Sequence, residues 1–386
     1  MSRQAGRRAR DIAMSVLSIG IVGFAAVFGG AQTAAREYIQ RLGIVSASLA
    51  VPDAGIPALR EYMQTIVSDA ERGETEPDLP VLVEPDNTQQ EDAQTGEAEP
   101  EETAPVYDQN DLAAAEALIP EERRAPLEQI QFASTGTGGN YFYYGAGTLN
   151  NATEYATSEM QSVVDSDMAL DIEMNATEPQ VLIVHTHSTE SFDRFDVGFY
   201  DTEYPTRTTD SENNIVAVGQ VLCDELNALG INTVHATEYH DYPSYNNSYS
   251  RSRVTVQDYL TRYPSIKIVL DIHRDGMQRE DGTRVKPVVE IGGEKIAQIM
   301  IVSGAGDDQP VPEFRENLKF AARLQDSAES LFPGFTRPVY FAYRYYNHDL
   351  TPGSLVIEVG SEGNTLQEAK NAAKCTALSL ANLFRD

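Results

Sequence analysis

Three short runs of the sequence place side chains that could do metal and acid–base chemistry next to strand-like segments. The first run reads His-Thr-His-Ser-Thr-Glu over residues 185–190 and follows the apolar segment 181–184. The second reads His-Arg-Asp over residues 273–275 and follows the β-branched segment 266–272. In the third run, Glu358 interrupts an apolar stretch. Three of the chain's six histidines fall in these runs, so we treat the runs as parts of one candidate site.

The residue types and their spacing predict a catalytic zinc site. Such a site has three nitrogen or carboxylate ligands and an open fourth position for water. His187 and Glu190 have the spacing His-x-x-Glu, which lets one turn aim both side chains at one ion, and His273 could complete the set from a neighbouring strand. Bound zinc lowers the pKa of water toward neutrality. An unpartnered carboxylate in an apolar strand is costly to bury, so the position of Glu358 suggests a role beyond folding. Glu358 is the predicted catalytic general base and acid.

The polar neighbours of these residues also have structural interpretations. We expect His185 to orient the site through a hydrogen bond rather than to bind the metal. Arg274 and Asp275 either form a salt bridge with each other or contact the substrate. Because an isolated His-x-x-Glu spacing often arises by chance, the prediction of a metal site depends on its combination with His273 and Glu358.

The pattern of apolar residues predicts the elements that must position this site. Short β-branched runs alternate with longer segments whose apolar residues recur every three or four positions, as on one face of a helix. This alternation favours an α/β domain with a mostly parallel sheet flanked by helices. In such sheets, sites lie at the carboxyl ends of the strands. Segments 285–291 and 295–303 are expected to form a hairpin around Gly292 and Gly293.

The N-terminal region predicts a membrane anchor. Residues 12–31 contain no charge and are preceded by Arg3, Arg7, Arg8 and Arg10. Twenty residues of helix match a hydrocarbon core of about 30 Å, and the positive-inside rule keeps the arginines in the cytoplasm and the rest of the chain outside it. A cleavable signal peptide is the alternative, because small residues surround Ala31 and Ala34.

A strongly acidic segment follows the anchor. Residues 74–122 contain 16 acidic and no basic residues, in a chain of net charge −30. Such a segment repels itself and stays extended, which suits a spacer, and the overall charge excludes nucleic acid as a partner. With two cysteines, Cys223 and Cys375, a disulfide scaffold is excluded and two buried free thiols are expected. The predicted organisation is a cytoplasmic stub and anchor (1–36), a juxtamembrane segment (37–71), an acidic disordered linker (72–122), a lead-in (123–177) and a catalytic domain (178–386).

Four motifs together resemble the stage II sporulation protein P family of endospore-forming bacteria. The motifs, in the order in which that family has them, lie at residues 185–191, 214–219, 271–275 and 356–360. The resemblance covers roughly residues 178–386 and implies an amidase-like fold. It also implies a zinc-dependent N-acetylmuramoyl-L-alanine amidase that cuts stem peptides from peptidoglycan and cuts peptide cross-links during engulfment.

The resemblance also implies roles, partners and a location. Its histidine ligands fall on His187 and His273 and its catalytic glutamate on Glu358, while Asp210 or Glu212 competes with Glu190 for the remaining carboxylate ligand. Implied partners are a membrane-anchored lytic transglycosylase and a multipass membrane protein. The implied location of the catalytic domain is the space between the mother-cell and forespore membranes.

Two other functions fit the same residues. A zinc carboxypeptidase would use similar ligands but needs an arginine that grips a free carboxylate. A wall-binding scaffold with a vestigial site would need no chemistry at all, and the intact set of candidate ligands argues against it.

Overall fold

A computed structural model describes residues 112–385. The predicted anchor (12–31), the juxtamembrane segment (37–71) and the acidic linker up to residue 111 lie outside the described residues. No helix within 112–385 is long and apolar enough to cross a membrane. The end of the predicted disordered linker is folded, contrary to our expectation. The helix α1 (Leu112–Leu118) and a 3-10 turn (Glu121–Arg123) lie there, because Ala115 and Ile119 pack against Phe195.

An eight-stranded mixed sheet forms the centre of the fold, which confirms the α/β class. Five of its seven strand pairs are parallel and two are antiparallel. Apart from the hairpin turn 291–294, the described residues belong to one compact unit. The strand order is β2 (Tyr141–Tyr144), β3 (Gly147–Ala152), β11 (Val339–Ala342), β10 (Ile299–Gly304), β12 (Gly353–Ser361), β7 (Ile268–Asp275), β4 (Val181–Val184) and β6 (Thr233–His235).

A second sheet of four strands has the order β5 (Phe199–Asp201), β1 (Arg124–Ile130), β8 (Arg284–Ile291) and β9 (Glu294–Ala297). The predicted strand 295–303 is therefore divided: β9 stays beside β8, and β10 joins the main sheet. Gln298 lies at the division, fully buried, and its amide bonds the backbone N–H and C=O of Phe132 at 2.7 and 2.9 Å. These bonds stabilise the backbone where it passes from one sheet to the other.

Helices cover the faces of the main sheet, as the apolar periodicity predicts. Val256 in the helix α4 (Ser248–Arg262) packs with Leu182, Val184 and Val269 of the strands β4 and β7. His185, the residue after β4, lies against Gly219 of another helix, α3 (Ile215–Ala228). Both cysteines are buried and neither forms a disulfide, as expected. The remaining helices are α2 (Thr157–Val164), α3 (Ile215–Ala228), α4 (Ser248–Arg262), α5 (Phe314–Leu331) and α6 (Leu366–Leu383).

Candidate active site

The parallel strands β4, β7 and β12 are neighbours, so their carboxyl ends lie at one edge of the main sheet. His187 and Glu190 follow β4, His273 lies near the end of β7, and Glu358 lies in β12. Glu358 is the register partner of His273, which places both side chains on the same face of the sheet. The four residues predicted to carry the chemistry are thus brought to one place.

His273 lies between two carboxylates. Its Nε2 atom is 2.9 Å from Asp271 Oδ1, a contact without hydrogen-bond alignment, and its Nδ1 atom is 3.7 Å from Glu190 Oε2. Asp271 also accepts hydrogen bonds from the backbone N–H and the hydroxyl of Thr186 at 2.8 and 2.6 Å. Burial alone would lower the pKa of His273, but Asp271 and then Glu190 raise it to about 10. The charge of His273 in turn overcomes burial and lowers the pKa of Asp271.

His187 is a neutral imidazole within an aromatic group. Its ring stacks on Tyr245 with 4.5 Å between ring centroids and meets the His273 ring edge-on at 5.2 Å. Its Nδ1 atom is buried, lies 4.0 Å from Asp241 Oδ2 and has no hydrogen-bond partner among the described residues. Burial, and then the charge of His273, lowers the pKa of His187 to about 3. A neutral ring is the form of histidine that binds metals.

Glu190 is buried and held from two sides. Its Oε2 atom accepts the backbone N–H of Arg274 at 3.1 Å, and its Oε1 atom accepts from Arg207 Nη2 at 3.3 Å. Arg207 also binds the buried carboxylate of Asp241. These contacts fix the Glu190 carboxylate beside His273.

Glu358 is a carboxyl group suited to accept and return a proton. Its Oε2 atom is buried and has no hydrogen-bond partner in the described part of the chain. Burial, and then the negative charge of Glu190, raises the pKa of Glu358 to about 7, although the positive charge of His273 opposes the rise. Near neutral pH the group therefore populates both protonation states.

Within residues 112–385, no three His, Cys, Asp or Glu side chains already form a group that could hold a metal ion. The separate contacts do have the required chemistry. The 3.7 Å between His273 Nδ1 and Glu190 Oε2 is close to the separation of about 3.4 Å between two ligands of a tetrahedral ion. His187 offers a neutral ring whose buried Nδ1 atom has no partner. Two imidazoles and a carboxylate are a donor set that catalytic zinc uses, so the residue types fit that ion. His273 would have to release its proton to bind it, because a coordinating histidine is neutral.

Two of the three predicted neighbours, His185 and Arg274, bond the backbone of segments that carry site residues. His185 is fully buried and bonds the carbonyl of Ile272 at 2.9 Å and the ring of His235 at 2.8 Å. Arg274 donates to the backbone carbonyls of Ser191 and Thr206, at 2.7 Å each, and so fixes the segment that follows Glu190.

In the described part of the chain, the side chains of Arg274 and Asp275 do not form the predicted salt bridge with each other. Asp275 pairs with Arg337 at 2.9 Å, and the nearest carboxylate to Arg274 Nη1 in an ion pair is Glu362 at 3.8 Å. The two side chains point away from each other, because consecutive residues of a strand point to opposite faces of the sheet.

The two alternative carboxylate ligands, Asp210 and Glu212, do not contact His273 in the described contacts. Asp210 and Glu212 are exposed, and Asp210 accepts hydrogen bonds from the Glu212 backbone N–H and the Asn213 amide in its own turn. The structure thus places Glu190, and neither of these two, against His273.

Sequence reasoning missed Asp271, Arg207 and Tyr249. Asp271 could have been found, because it precedes His273 by two residues and a strand alternates its faces with that period. Arg207 comes from a loop without regular spacing, and nothing local in the sequence assigns it to Glu190. Tyr249, whose ring stacks on His273 at 6.3 Å between centroids, lies in a polar helical turn that offers no apolar periodicity.

Comparisons with known proteins place the chain in a family. The family model described as stage II sporulation protein P (SpoIIP) matches residues 62–381. Stage II sporulation protein P of Bacillus subtilis (strain 168) is 30% identical over 217 residues, 53% of this chain and 51% of the relative. The chain therefore spans about half the length of that relative.

Two similar solved structures are amidases by their titles. An N-acetylmuramyl-L-alanine amidase of Mycobacterium smegmatis has 11% identity and a TM-score of 0.31, covering 55% of this chain and 99% of that one. The CwlD amidase of Clostridioides difficile, in complex with the GerS lipoprotein, has 9% identity and a TM-score of 0.32, covering 53% and 95%. Because the family model covers most of the chain, including all four site residues, this protein belongs to the stage II sporulation protein P family.

Proposed function

We propose that this protein is a zinc-dependent peptidoglycan hydrolase, an N-acetylmuramoyl-L-alanine amidase that also cuts peptide cross-links. The observation that carries the proposal is the meeting of His187, Glu190, His273 and Glu358 at one edge of the sheet, with the pKa of Glu358 raised to about 7. The amidase reaction adds water across the bond between the lactyl carbonyl of muramic acid and the nitrogen of L-alanine. It leaves a carboxylate on the sugar and an amine on the peptide.

His187, Glu190 and His273 would hold the zinc ion. When bound, zinc supplies a polarised carbonyl and a water of lowered pKa. Asp271 would hold the His273 ring in place, because its Oδ1 atom lies 2.9 Å from Nε2 and leaves Nδ1 turned toward Glu190. A carboxylate behind a ligand histidine in this way fixes the ring orientation and raises its basicity.

Glu358 would move the proton in both halves of the reaction. As a carboxylate it takes a proton from the attacking water, and as a carboxylic acid it gives that proton to the departing nitrogen. A pKa near 7 makes both transfers feasible at neutral pH, because neither form is strongly disfavoured. The unpartnered Oε2 atom is the one that is free for this exchange among the described contacts.

The decisive test compares Glu358→Gln with His187→Ala. The glutamine variant should keep zinc near one ion per chain but lose about 100- to 10,000-fold in hydrolysis, since only the proton carrier is removed. The alanine variant should lose both zinc and activity. Zinc is measured by mass spectrometry of the metal, and products by mass spectrometry of fragments released from purified peptidoglycan.

Two controls make this comparison specific. His235→Ala removes a histidine that contacts His185 and Gln220, and it should keep zinc. Circular dichroism and melting curves show whether each variant is folded. A folded and fully active Glu358→Gln variant would refute the assigned role of Glu358.

We also propose that the protein is anchored by residues 12–31, with the catalytic domain outside the cytoplasm. Within this proposal it acts during engulfment with a membrane-anchored lytic transglycosylase and a multipass membrane protein. The support is the uncharged run behind four arginines and the family membership. External protease on intact protoplasts should cleave the chain between residues 72 and 111. Complete protection in intact protoplasts, with cleavage after lysis, would contradict this orientation.

A further inference from the structure

Asp241 is a buried carboxylate that faces one ring nitrogen of the proposed ligand His187. Its side chain is fully buried, and its Oδ2 atom lies 4.0 Å from His187 Nδ1. That nitrogen is itself fully buried and has no hydrogen-bond partner within residues 112–385. The other ring nitrogen, Nε2, is not fully buried, and 11% of the His187 side chain is exposed. The two nitrogens therefore differ, because Nδ1 faces a carboxylate and Nε2 lies on the accessible side of the ring.

The Asp241 carboxylate is fixed by donors that also hold the proposed ligands. The backbone N–H of Thr189 donates to Oδ1 at 3.2 Å, and the Thr189 hydroxyl donates to Oδ2 at 2.7 Å. Arg207 pairs with Oδ2 through Nη1 and donates to Glu190 through Nη2. Because Thr189 lies between His187 and Glu190 in the chain, these bonds join the carboxylate to the segment that carries both proposed ligands.

The position of Asp241 determines which nitrogen of a neutral His187 ring carries the hydrogen. A neutral imidazole has one N–H group, and its other nitrogen presents a lone pair. A lone pair that faces a carboxylate is repelled, whereas an N–H group in the same place is attracted, and burial strengthens both effects. At 4.0 Å the two groups are too far apart for a hydrogen bond, so the preference is electrostatic. The favoured form has its hydrogen on Nδ1 and its lone pair on Nε2.

The second proposed ligand has a matching arrangement with the nitrogens reversed. The Nε2 atom of His273 is buried 2.9 Å from Asp271 Oδ1, and its Nδ1 atom is turned toward Glu190. Each of the two imidazoles thus has one buried nitrogen facing a buried carboxylate, Asp241 for His187 and Asp271 for His273. Ligand histidines commonly direct their second N–H at a carboxylate, which fixes the ring and its tautomer.

We propose that Asp241 is a positioning residue that keeps the hydrogen of His187 on Nδ1, so that Nε2 is the nitrogen that takes the metal. His187 and His273 would then bind one ion through opposite nitrogens. This inference rests on the proposed function, because it assumes that His187 is a zinc ligand. A purely structural Asp241 would hold the loop without selecting a tautomer, so the tautomer distinguishes the two roles.

The test locates the hydrogen by nitrogen-15 NMR of full-length protein labelled at its six histidines. Spectra are recorded first without metal and then with zinc bound, and the signals of His187 are those lost in His187→Gln. In the parent, Nδ1 should carry the hydrogen in both states. Asp241→Asn removes the charge but keeps the shape, and without metal it should shift His187 toward the form with the hydrogen on Nε2.

Zinc affinity is the second measurement, made by competition with a chromogenic chelator. Asp241→Asn should weaken zinc binding about 10- to 100-fold, as expected when a carboxylate behind a ligand histidine is lost. Asp201→Asn is the matched control, since Asp201 is also a buried carboxylate paired with arginines, Arg123 and Arg194. Within residues 112–385 it has no ion pair with a site residue, so this variant should change neither the tautomer nor zinc binding.

The outcomes separate this inference from the proposed function. A parent with its hydrogen on Nε2, a tautomer unchanged in Asp241→Asn, or unchanged zinc affinity in that variant would each overturn the role of Asp241. Circular dichroism shows whether the variant is folded, and the tautomer of the parent decides the question even if it is not. Failure of the parent to release stem peptides from purified peptidoglycan would refute the proposed function instead, and the metal-free tautomer does not depend on that result.

Discussion

Glu190 and Asp210 are competing candidates for the carboxylate ligand of the proposed metal site. Glu190 is buried, and its carboxylate lies 3.7 Å from His273, whereas Asp210 is exposed and occupied by hydrogen bonds within its own turn. A carboxylate that already lies next to another donor needs less rearrangement to bind the ion than one held in a separate turn, and rearrangement costs binding free energy. On this argument the proximity of Glu190 outweighs the sequence position of Asp210.

The corresponding prediction compares Glu190→Gln with Asp210→Asn, two isosteric changes that each remove one negative charge. Glu190→Gln should lower zinc affinity at least tenfold, because the amide is a weaker ligand and no longer opposes the charge of Arg207. Asp210→Asn should leave zinc affinity unchanged. Competition with a chromogenic chelator measures both, and a loss of zinc confined to Asp210→Asn would reverse the assignment.

The sequence predicts the residues of this site better than it predicts their contacts. Strand ends of one sheet share an edge, so His187, His273 and Glu358 could be grouped without a structure. The partners of Asp275 and Glu190 could not be predicted. Arg337 and Arg207 lie 62 and 17 residues away in the chain, and such pairings depend on loop paths that carry no periodic signal.

At the scale of elements, the close contact between α3 and β4 depends on one glycine. A Cβ atom at Gly219 would lie 2.3 Å from His185 Nε2 and 2.8 Å from His235 Nε2. These two nitrogens form the 2.8 Å hydrogen bond between the histidines. The helix can approach the strand only because Gly219 has no side chain there, although glycine costs about 1 kcal/mol of helix propensity relative to alanine.

We predict that Gly219→Ala destabilises the fold by about 1 to 3 kcal/mol, because overpacking of the two rings exceeds the gain in helix propensity. Urea unfolding followed by circular dichroism measures the difference. Gly198→Ala is the matched control, since a Cβ atom there meets nothing within 4 Å. An alanine variant at position 219 that is as stable as the parent would show that the helix can move away without cost.

Local sequence patterns predicted the elements around the site and missed those that depend on distant pairing. The helix expected from residue 213 to 229 is observed at Ile215–Ala228, with the Asn214 side chain accepting from Val216 N–H as its N-cap and Gly230 beyond its end at φ +82°. By contrast, the strand β1 (Arg124–Ile130) contains a proline, and Leu127 is its one buried residue. It exists because β5 and β8 pair with it on either side, and no window of sequence contains those partners.

At the scale of the whole molecule, buried charges tie separate elements together. Lys286 of β8 is almost fully buried and pairs with Asp196 and with Glu368 at 2.8 Å. Glu368 also completes the capping box at the start of α6 with Thr365. One ammonium group therefore connects the second sheet with the loop that carries Asp196 and with the helix α6. Loss of either carboxylate partner would leave a buried charge without its full set of partners, which is destabilising.

The last prediction concerns the pH dependence of stability and uses His348, a fully buried histidine between β11 and β12. Its Nδ1 atom accepts the backbone N–H of Gly304 at 2.9 Å, so Nε2 carries the proton, and Nε2 is buried without a hydrogen-bond partner in the described part of the chain. Burial lowers its pKa from 6.5 to about 4. Between these values the unfolded chain binds the proton more tightly, so stability is present above pH 6.5 and is lost as the pH falls toward 4. His348→Gln keeps an acceptor for Gly304 but does not titrate.

From pH 7.5 to 5, the free energy of unfolding of the parent should fall by about 2 kcal/mol more than that of the His348→Gln variant, measured by urea unfolding at each pH. The comparison cancels effects shared by both chains, including His185, His235 and the large negative net charge. Parallel pH profiles for the two proteins would mean that the pKa of His348 is the same in the folded and the unfolded chain, and would contradict the prediction.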